Sequence, residues 1–130
     1  MKETRPFLIH EDDCATESWD DPEHGNARWK TLISADRSPT ESLTVGTAEV
    51  QPGDGKPYRV HRHPHPEVYY VLAGEGLVWV DGQEFPVRSG STLFIPGSAE
   101  HALHNSGSVP LRLLYVFPAE AFHEVEYEFP

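Results

Sequence analysis

From Trp29 onward the chain is cut into short segments by glycine- and proline-containing turns, which excludes most folds before any single residue is considered. No segment carries a long apolar repeat of 3.6 residues, so no extended amphipathic helix is expected. Ten glycines and twelve prolines instead divide the chain into pieces of strand length. Alternation or β-branched enrichment marks strands over 27–34, 42–50, 58–63, 67–73, 76–80, 84–88, 91–95, 102–105 and 111–117. Asp81-Gly82 is a favoured two-residue hairpin pair, because both residues tolerate positive φ. Pro52-Gly53-Asp54-Gly55, Gly74-Glu75-Gly76, Ser89-Gly90, Pro96-Gly97 and Ser106-Gly107-Ser108 supply further turns, with the Gly74 turn expected to close a hairpin. Strands this short and this regular predict an all-β sandwich or barrel.

At 130 residues the chain has the length of one domain. An acidic, broken N-terminal arm with one helical turn is expected over 1–26, and a barrel domain over 27–130. The alternating tail Val125-Glu126-Tyr127-Glu128-Phe129 is expected to return as a last strand across the barrel mouth. A formal charge of −11 argues against nucleic acid, since little here could neutralise phosphates. The single cysteine, Cys14, excludes an intramolecular disulfide and any thiolate cluster. No apolar run approaches the ~20 residues of a membrane span, and the first residues lack a signal-peptide core. A cytoplasmic protein with no membrane partner is the expectation.

One run carries chemistry. His61, His63 and Glu67 fall within seven residues, and His101 follows at the head of H-A-L-H-N. Residues two apart in a strand share a face, so His61 and His63 point one way, as do Glu67, Tyr69 and Val71. A bend at Pro64-His65-Pro66 would join the two sets as a hairpin. Three imidazoles and one carboxylate suit one divalent Zn, Fe, Ni, Co or Mn, and four protein donors leave positions open for a substrate. The plainer alternative is a set of surface histidines in a His-rich loop. His65 is a spare that could replace His63, and His104, on the face opposite His101, reads as structural.

The two runs fit G-x5-H-x-H-x3-E-x6-G at Gly55, His61, His63, Glu67 and Gly74, and G-x5-P-x-G-x2-H-x3-N at Gly90, Pro96, His101 and Asn105. They resemble the two motifs of the cupin superfamily. One position departs, Ser98 standing where the second motif has glycine. The resemblance implies a single-domain jelly-roll β-barrel with His61, His63, Glu67 and His101 as metal ligands. Cupins often dimerise through edge strands, so a homodimer is expected through 27–34 or the C-terminal strand.

Tyr69 sits two residues beyond Glu67 on the same inward face. A divalent cation beside a phenol favours the phenolate, and lowering the pKa from about 10 to about 7–8 takes roughly 3–4 kcal/mol. Tyr69 is then either a general base or a wall residue whose hydroxyl bonds a neighbour. The runs A-R-W-K-T-L-I-S-A-D at 27–36, H-x-H-x3-E-x-Y, A-E-H-A-L-H-N at 99–105 and F-P-A-E-A-F-H-E-V-E-Y at 117–127 resemble the small single-domain cupin dimethylsulfoniopropionate lyases. That resemblance implies Tyr69 as the base, Tyr127 as a second functional tyrosine, and a small carboxylate substrate. The sulfonium would meet an aromatic face, with Tyr70, Trp29, Phe94 and Tyr115 as candidates; Tyr70 should point outward and Trp29 into the core. An Fe-dependent dioxygenase, and a non-catalytic module binding a metal or sugar acid, remain the alternatives.

Overall fold

The computed structural model describes residues 4–18, 27–40, 42–53 and 60–118. Among them nine strands follow in chain order: β1 (Glu17–Ser18), β2 (Arg28–Ile33), β3 (Thr44–Val50), β4 (Glu67–Ala73), β5 (Glu75–Val80), β6 (Gln83–Arg88), β7 (Thr92–Ile95), β8 (His101–His104) and β9 (Leu111–Phe117). Six form one sheet in the order β1-β2-β3-β9-β4-β7, and three form a second, β6-β5-β8. Every pairing is antiparallel. Inward residues of both sheets, among them Val71, Leu111, Leu113, Phe117, Val78 and Val87, share one buried cluster. Burying each large apolar side chain contributes about 1.5–3 kcal/mol, which holds the sheets together. This is the jelly-roll barrel that the two motifs imply.

The turns do a different job from the one read off their composition. Asp81-Gly82 does close the β5–β6 hairpin, with φ of 45° and 88°. Gly74, however, closes no hairpin. It passes the chain from β4 in the large sheet to β5 in the small one, at φ 85°. A Cβ there would lie 2.6 Å from the Pro110 carbonyl oxygen, so both its conformation and its surroundings require glycine. Ser89-Gly90, Pro96-Gly97 and 106–108 likewise carry the chain between sheets. Turn residues report that the chain changes direction; which sheet receives it depends on pairings distant in sequence.

The expected hairpin across Pro64–Pro66 is corrected for the same reason. Within 60–63 the described backbone forms an isolated bridge, His61 to His101, rather than a strand paired with β4. His61 and His101 exchange both backbone hydrogen bonds, at 3.0 and 2.8 Å, and the Ser98 N–H donates to the His63 carbonyl at 2.8 Å. Gly97 allows this approach, since a Cβ would overlap the Pro64 carbonyl. Ser98 adopts φ 65°, so it takes up the left-handed conformation that the motif's glycine would adopt.

The N-terminal arm, in its described part, is docked. A 3-10 turn spans Glu11–Asp13, and β1 pairs with β2. The expected free edge at 27–34 is therefore covered along Arg28 and Trp29. Glu11 accepts from Thr47 Oγ1 at 2.5 Å and Arg112 at 2.6 Å on the outer face of the large sheet. Glu17 accepts from Thr31 Oγ1 at 2.8 Å and from both Arg37 nitrogens at 3.1 and 3.2 Å. The tail at 125–129 lies outside the described residues.

Asn105 locks the end of β8. Its Nδ2 donates to the Val50 and Val109 carbonyls at 2.9 and 2.8 Å, while its Oδ1 accepts from the Gly107 N–H at 2.9 Å. With the side chain 1% exposed, water cannot replace these partners. Asn105→Ala should cost about 2–4 kcal/mol of stability in urea unfolding. A loss below about 1 kcal/mol would show that the clamp is dispensable.

Candidate metal centre

His63, Glu67 and His101 meet inside the barrel from three different local structures. His63 precedes the Pro64–Pro66 bend, Glu67 opens β4 in the large sheet, and His101 opens β8 in the small one. One donor atom from each lies within 4.8 Å of the others, and all three residues are buried. His63 Nε2 stands 3.2 Å and His101 Nε2 3.6 Å from the same oxygen, Glu67 Oε1. His61, expected as a fourth ligand, lies directly against this group. Its ring packs edge-on against His101, with centroids 4.2 Å apart, and lies 6.3 Å from His63. His65 contributes a backbone carbonyl rather than a ring, and His104 is buried on the opposite face of β8, in register with Leu77.

The far nitrogen of each imidazole is already committed. His63 Nδ1 donates to the His65 carbonyl at 2.8 Å, and His101 Nδ1 donates to the Ala99 carbonyl at 2.9 Å. With the ring protons held there, the neutral rings turn their Nε2 lone pairs toward the carboxylate. Three converging electron-rich donors in a buried site need a positive charge between them, either a proton or a metal ion. His101 Nε2 is buried with no hydrogen-bond partner, which leaves it for a cation. Backbone carbonyls orienting the outer nitrogens are the usual support for metal-binding histidines. The residues fit one divalent ion, and the donor set does not choose among Fe, Ni, Mn, Co and Zn.

Burial pushes the Glu67 pKa up, but His101 and His63, when their inner nitrogens carry a proton, outweigh it and hold the carboxyl below its ordinary value. A lowered carboxylate pKa stabilises the fold above the unfolded pKa of about 4.3 and loses that contribution as pH falls further.

Tyr69 lies on the same wall as Glu67, 9% exposed, with its ring centroid 6.4 Å from that of His101. Of the other aromatic candidates, Tyr70 and Phe94 face outward at 42% and 63% exposure, Trp29 packs at the edge of the core, and Tyr115 is buried inside. Phe117 was not singled out by its sequence, yet its ring lies 6.2 Å from His63 and stacks on Tyr115. Its period-two position with Leu111, Leu113 and Tyr115 was the available signal. Tyr127 lies outside the described residues.

The sequence pattern of the cupin domain family matches residues 46–117, a span that contains the three converging donors and the bridge at His101. The chain belongs to the cupin family. This cupin is 37% identical over 124 residues to dimethylsulfoniopropionate lyase DddW of Ruegeria pomeroyi, covering 95% of this chain and 80% of the relative. Its fold superposes on an oxalate decarboxylase, so described by prediction, from Thermotoga maritima with a TM-score of 0.73, at 22% identity and over 87% and 99% of the two chains. A crystal structure from a study of dimethylsulfoniopropionate lyases gives a TM-score of 0.65 at 23% identity, over 80% of this chain and 52% of the other. Both structural likenesses speak to the fold.

Purified apoprotein should take up about one equivalent of Co(II) or Ni(II), read by visible absorption and elemental analysis. Glu67→Gln and His101→Ala should each weaken binding at least about tenfold, and uptake should fall in acid, because ligands must be deprotonated to hold the ion. Uptake that ignores both substitutions would place the metal elsewhere.

Proposed function

We propose that this cupin is a metal-dependent lyase that cleaves dimethylsulfoniopropionate to dimethyl sulfide and acrylate. The observation that carries the reading is Tyr69, inward and beside His101, in a chain 37% identical over nearly its whole length to a lyase of that substrate. In this reading His63, Glu67 and His101 hold one divalent ion, and His61, whose ring adjoins His101, completes the set. A divalent ion held there would supply the positive charge needed to bind the substrate carboxylate and to acidify the proton α to it. Tyr69 takes that proton as general base. The C–H electron pair becomes the new C=C bond, and the C–S bond breaks with its pair going to sulfur. Neutral dimethyl sulfide leaves without an acid, because the sulfonium was already cationic. An aromatic face on the site wall would hold the sulfonium by a contact contributing about 0.5–2 kcal/mol. Tyr127 is the second functional tyrosine by resemblance.

Metal-loaded protein should release dimethyl sulfide from dimethylsulfoniopropionate, measured in the headspace by gas chromatography. Tyr69→Phe should reduce release at least about 100-fold while metal content stays at wild-type level. Release that survives this substitution would remove Tyr69 as the base. Substrate binding without turnover in the wild type would instead support a binding module.

The same reading includes a homodimer. Ile33, Val45, Val116, Val68 and Phe94 pair in register across five strands and form an uncharged row on the outer face of the large sheet. Four spacings of about 4.8 Å make this row roughly 19 Å long, a seam around which a larger interface would have to form. The docked arm bonds Thr47 and Arg112, and Phe94 at one end of the row is 63% exposed. A second copy suits an uncharged face on a chain of charge −11, since it places no like charges in contact there. Light scattering should show a dimer that Phe94→Glu converts to monomer; a monomeric wild type would sink this part.

A further inference from the structure

Two prolines bracket His65 between two of the converging donors, in the run His63-Pro64-His65-Pro66-Glu67, and the chain bends at 64–65. The donor set uses neither proline, and the His65 ring is not part of it. What the bend gives the site is a backbone group, because the His65 carbonyl accepts from His63 Nδ1 at 2.8 Å. A carbonyl can only accept, so this contact places a proton on Nδ1 and turns Nε2 toward Glu67 Oε1, 3.2 Å away.

For a ring to bond the carbonyl two residues ahead, the chain must fold back over it and stay there. Proline sterics impose this. Pro64 and Pro66 each lock their own φ at about −65° and carry no N–H that would compete for the carbonyl. The residue before each proline, His63 and His65, is kept out of the helical region by the proline ring. The ψ torsion of His65 aims its carbonyl, so Pro66 acts directly on the accepting group.

Other contacts fix the ends of the bend. Ser98 N–H donates to the His63 carbonyl at 2.8 Å, Gly97 lies against the Pro64 carbonyl, and Glu67 pairs with Ile95 across β4 and β7. None of them holds the His65 carbonyl. His101 shows the other solution: its Nδ1 bonds the Ala99 carbonyl at 2.9 Å, and the Ala99 N–H donates to the Pro96 carbonyl at 3.2 Å. One imidazole is oriented from a hydrogen-bonded turn, the other through a proline-restricted bend.

We infer that Pro66 is a positioning residue for the metal centre: by restricting the His65 backbone it holds that carbonyl on His63 Nδ1 and keeps Nε2 turned toward the ion. This role rests on the three donors forming a metal site and on nothing about the substrate. Without the restraint, the binding-competent orientation of His63 becomes one of several, and apparent affinity falls in proportion to its population.

Pro66→Ala in the full-length chain tests this. Its Zn(II) dissociation constant, by competition with a chelator, should rise about two- to fivefold, the scale on which a proline restricts a backbone. The metal-free variant should melt no more than about 5 °C lower. The His63 ring N–H, followed by NMR of the zinc form labelled with nitrogen-15 histidine, should exchange with solvent faster while that of His101 keeps its wild-type rate. General loosening of the fold would quicken both. His65→Ala removes the ring but keeps the carbonyl and Pro66, and should bind zinc as the wild type does. Pro86→Ala, at an exposed position on β6, should do the same. Unchanged affinity in Pro66→Ala, equal quickening of both ring protons, a larger fall in melting temperature, or weakened binding in His65→Ala or Pro86→Ala would each overturn the role of Pro66. A wild type that takes up no metal would overturn the metal site and this role with it. Weakened zinc binding in Pro66→Ala, in a protein whose wild type releases no dimethyl sulfide, would uphold Pro66 and overturn the lyase reading.

Discussion

Two reciprocal backbone hydrogen bonds between His61 and His101 join segments forty residues apart, and the site exists because they form. They bring the chain that carries His63 alongside β8, while Glu67 arrives from β4 in the facing sheet. Ser98 reinforces the junction by donating to the His63 carbonyl, from a left-handed conformation that only a tight turn requires. Without that seam the large sheet would hold a carboxylate and the small sheet an imidazole, with nothing fixing the distance between them. The seam is backbone to backbone, so it does not compete with the side chains for their own partners.

Once the seam is closed, electrostatics inside the barrel follows from which groups are already paired. The outer nitrogens of His63 and His101 are bonded to carbonyls, so their inner nitrogens and the Glu67 carboxylate face one another as acceptors. Such a cluster is costly in a low-dielectric interior unless a cation occupies it. The unpartnered inner nitrogen of His101 is what a bound cation would relieve. The cupin fold alone does not select the reaction, because relatives of the same architecture bear names with quite different chemistry. Discrimination among them rests on the few inward groups beyond the metal donors.

Much of this was legible in advance. Turn residues and period-two alternation revealed most strands to within two residues, since pleat periodicity is local. The H-x-H-x3-E spacing and the later H-x3-N marked the donors, and the inward phase of Tyr69 followed from two-residue spacing. Other features were not legible. Gly74 has the composition of a hairpin turn but serves as a corner between sheets, and Pro64–Pro66 likewise. His61 satisfies the motif, and its ring packs against that of His101. The acidic arm reads as a solvated segment, but Glu11 and Glu17 tie it to the sheet through Thr47, Arg112, Thr31 and Arg37.

By itself the sequence determined the strand content, the identity of the candidate donors and the face on which each lies, because backbone pleating ties residue spacing to side-chain direction. Tertiary structure alone decided which strands share a sheet, which donors converge, and which buried groups remain unpaired. Those depend on contacts between residues far apart in the chain, such as His61 with His101 and Gly46 with Tyr115. No local pattern records such a contact, since it is settled by how two sheets close around a common core.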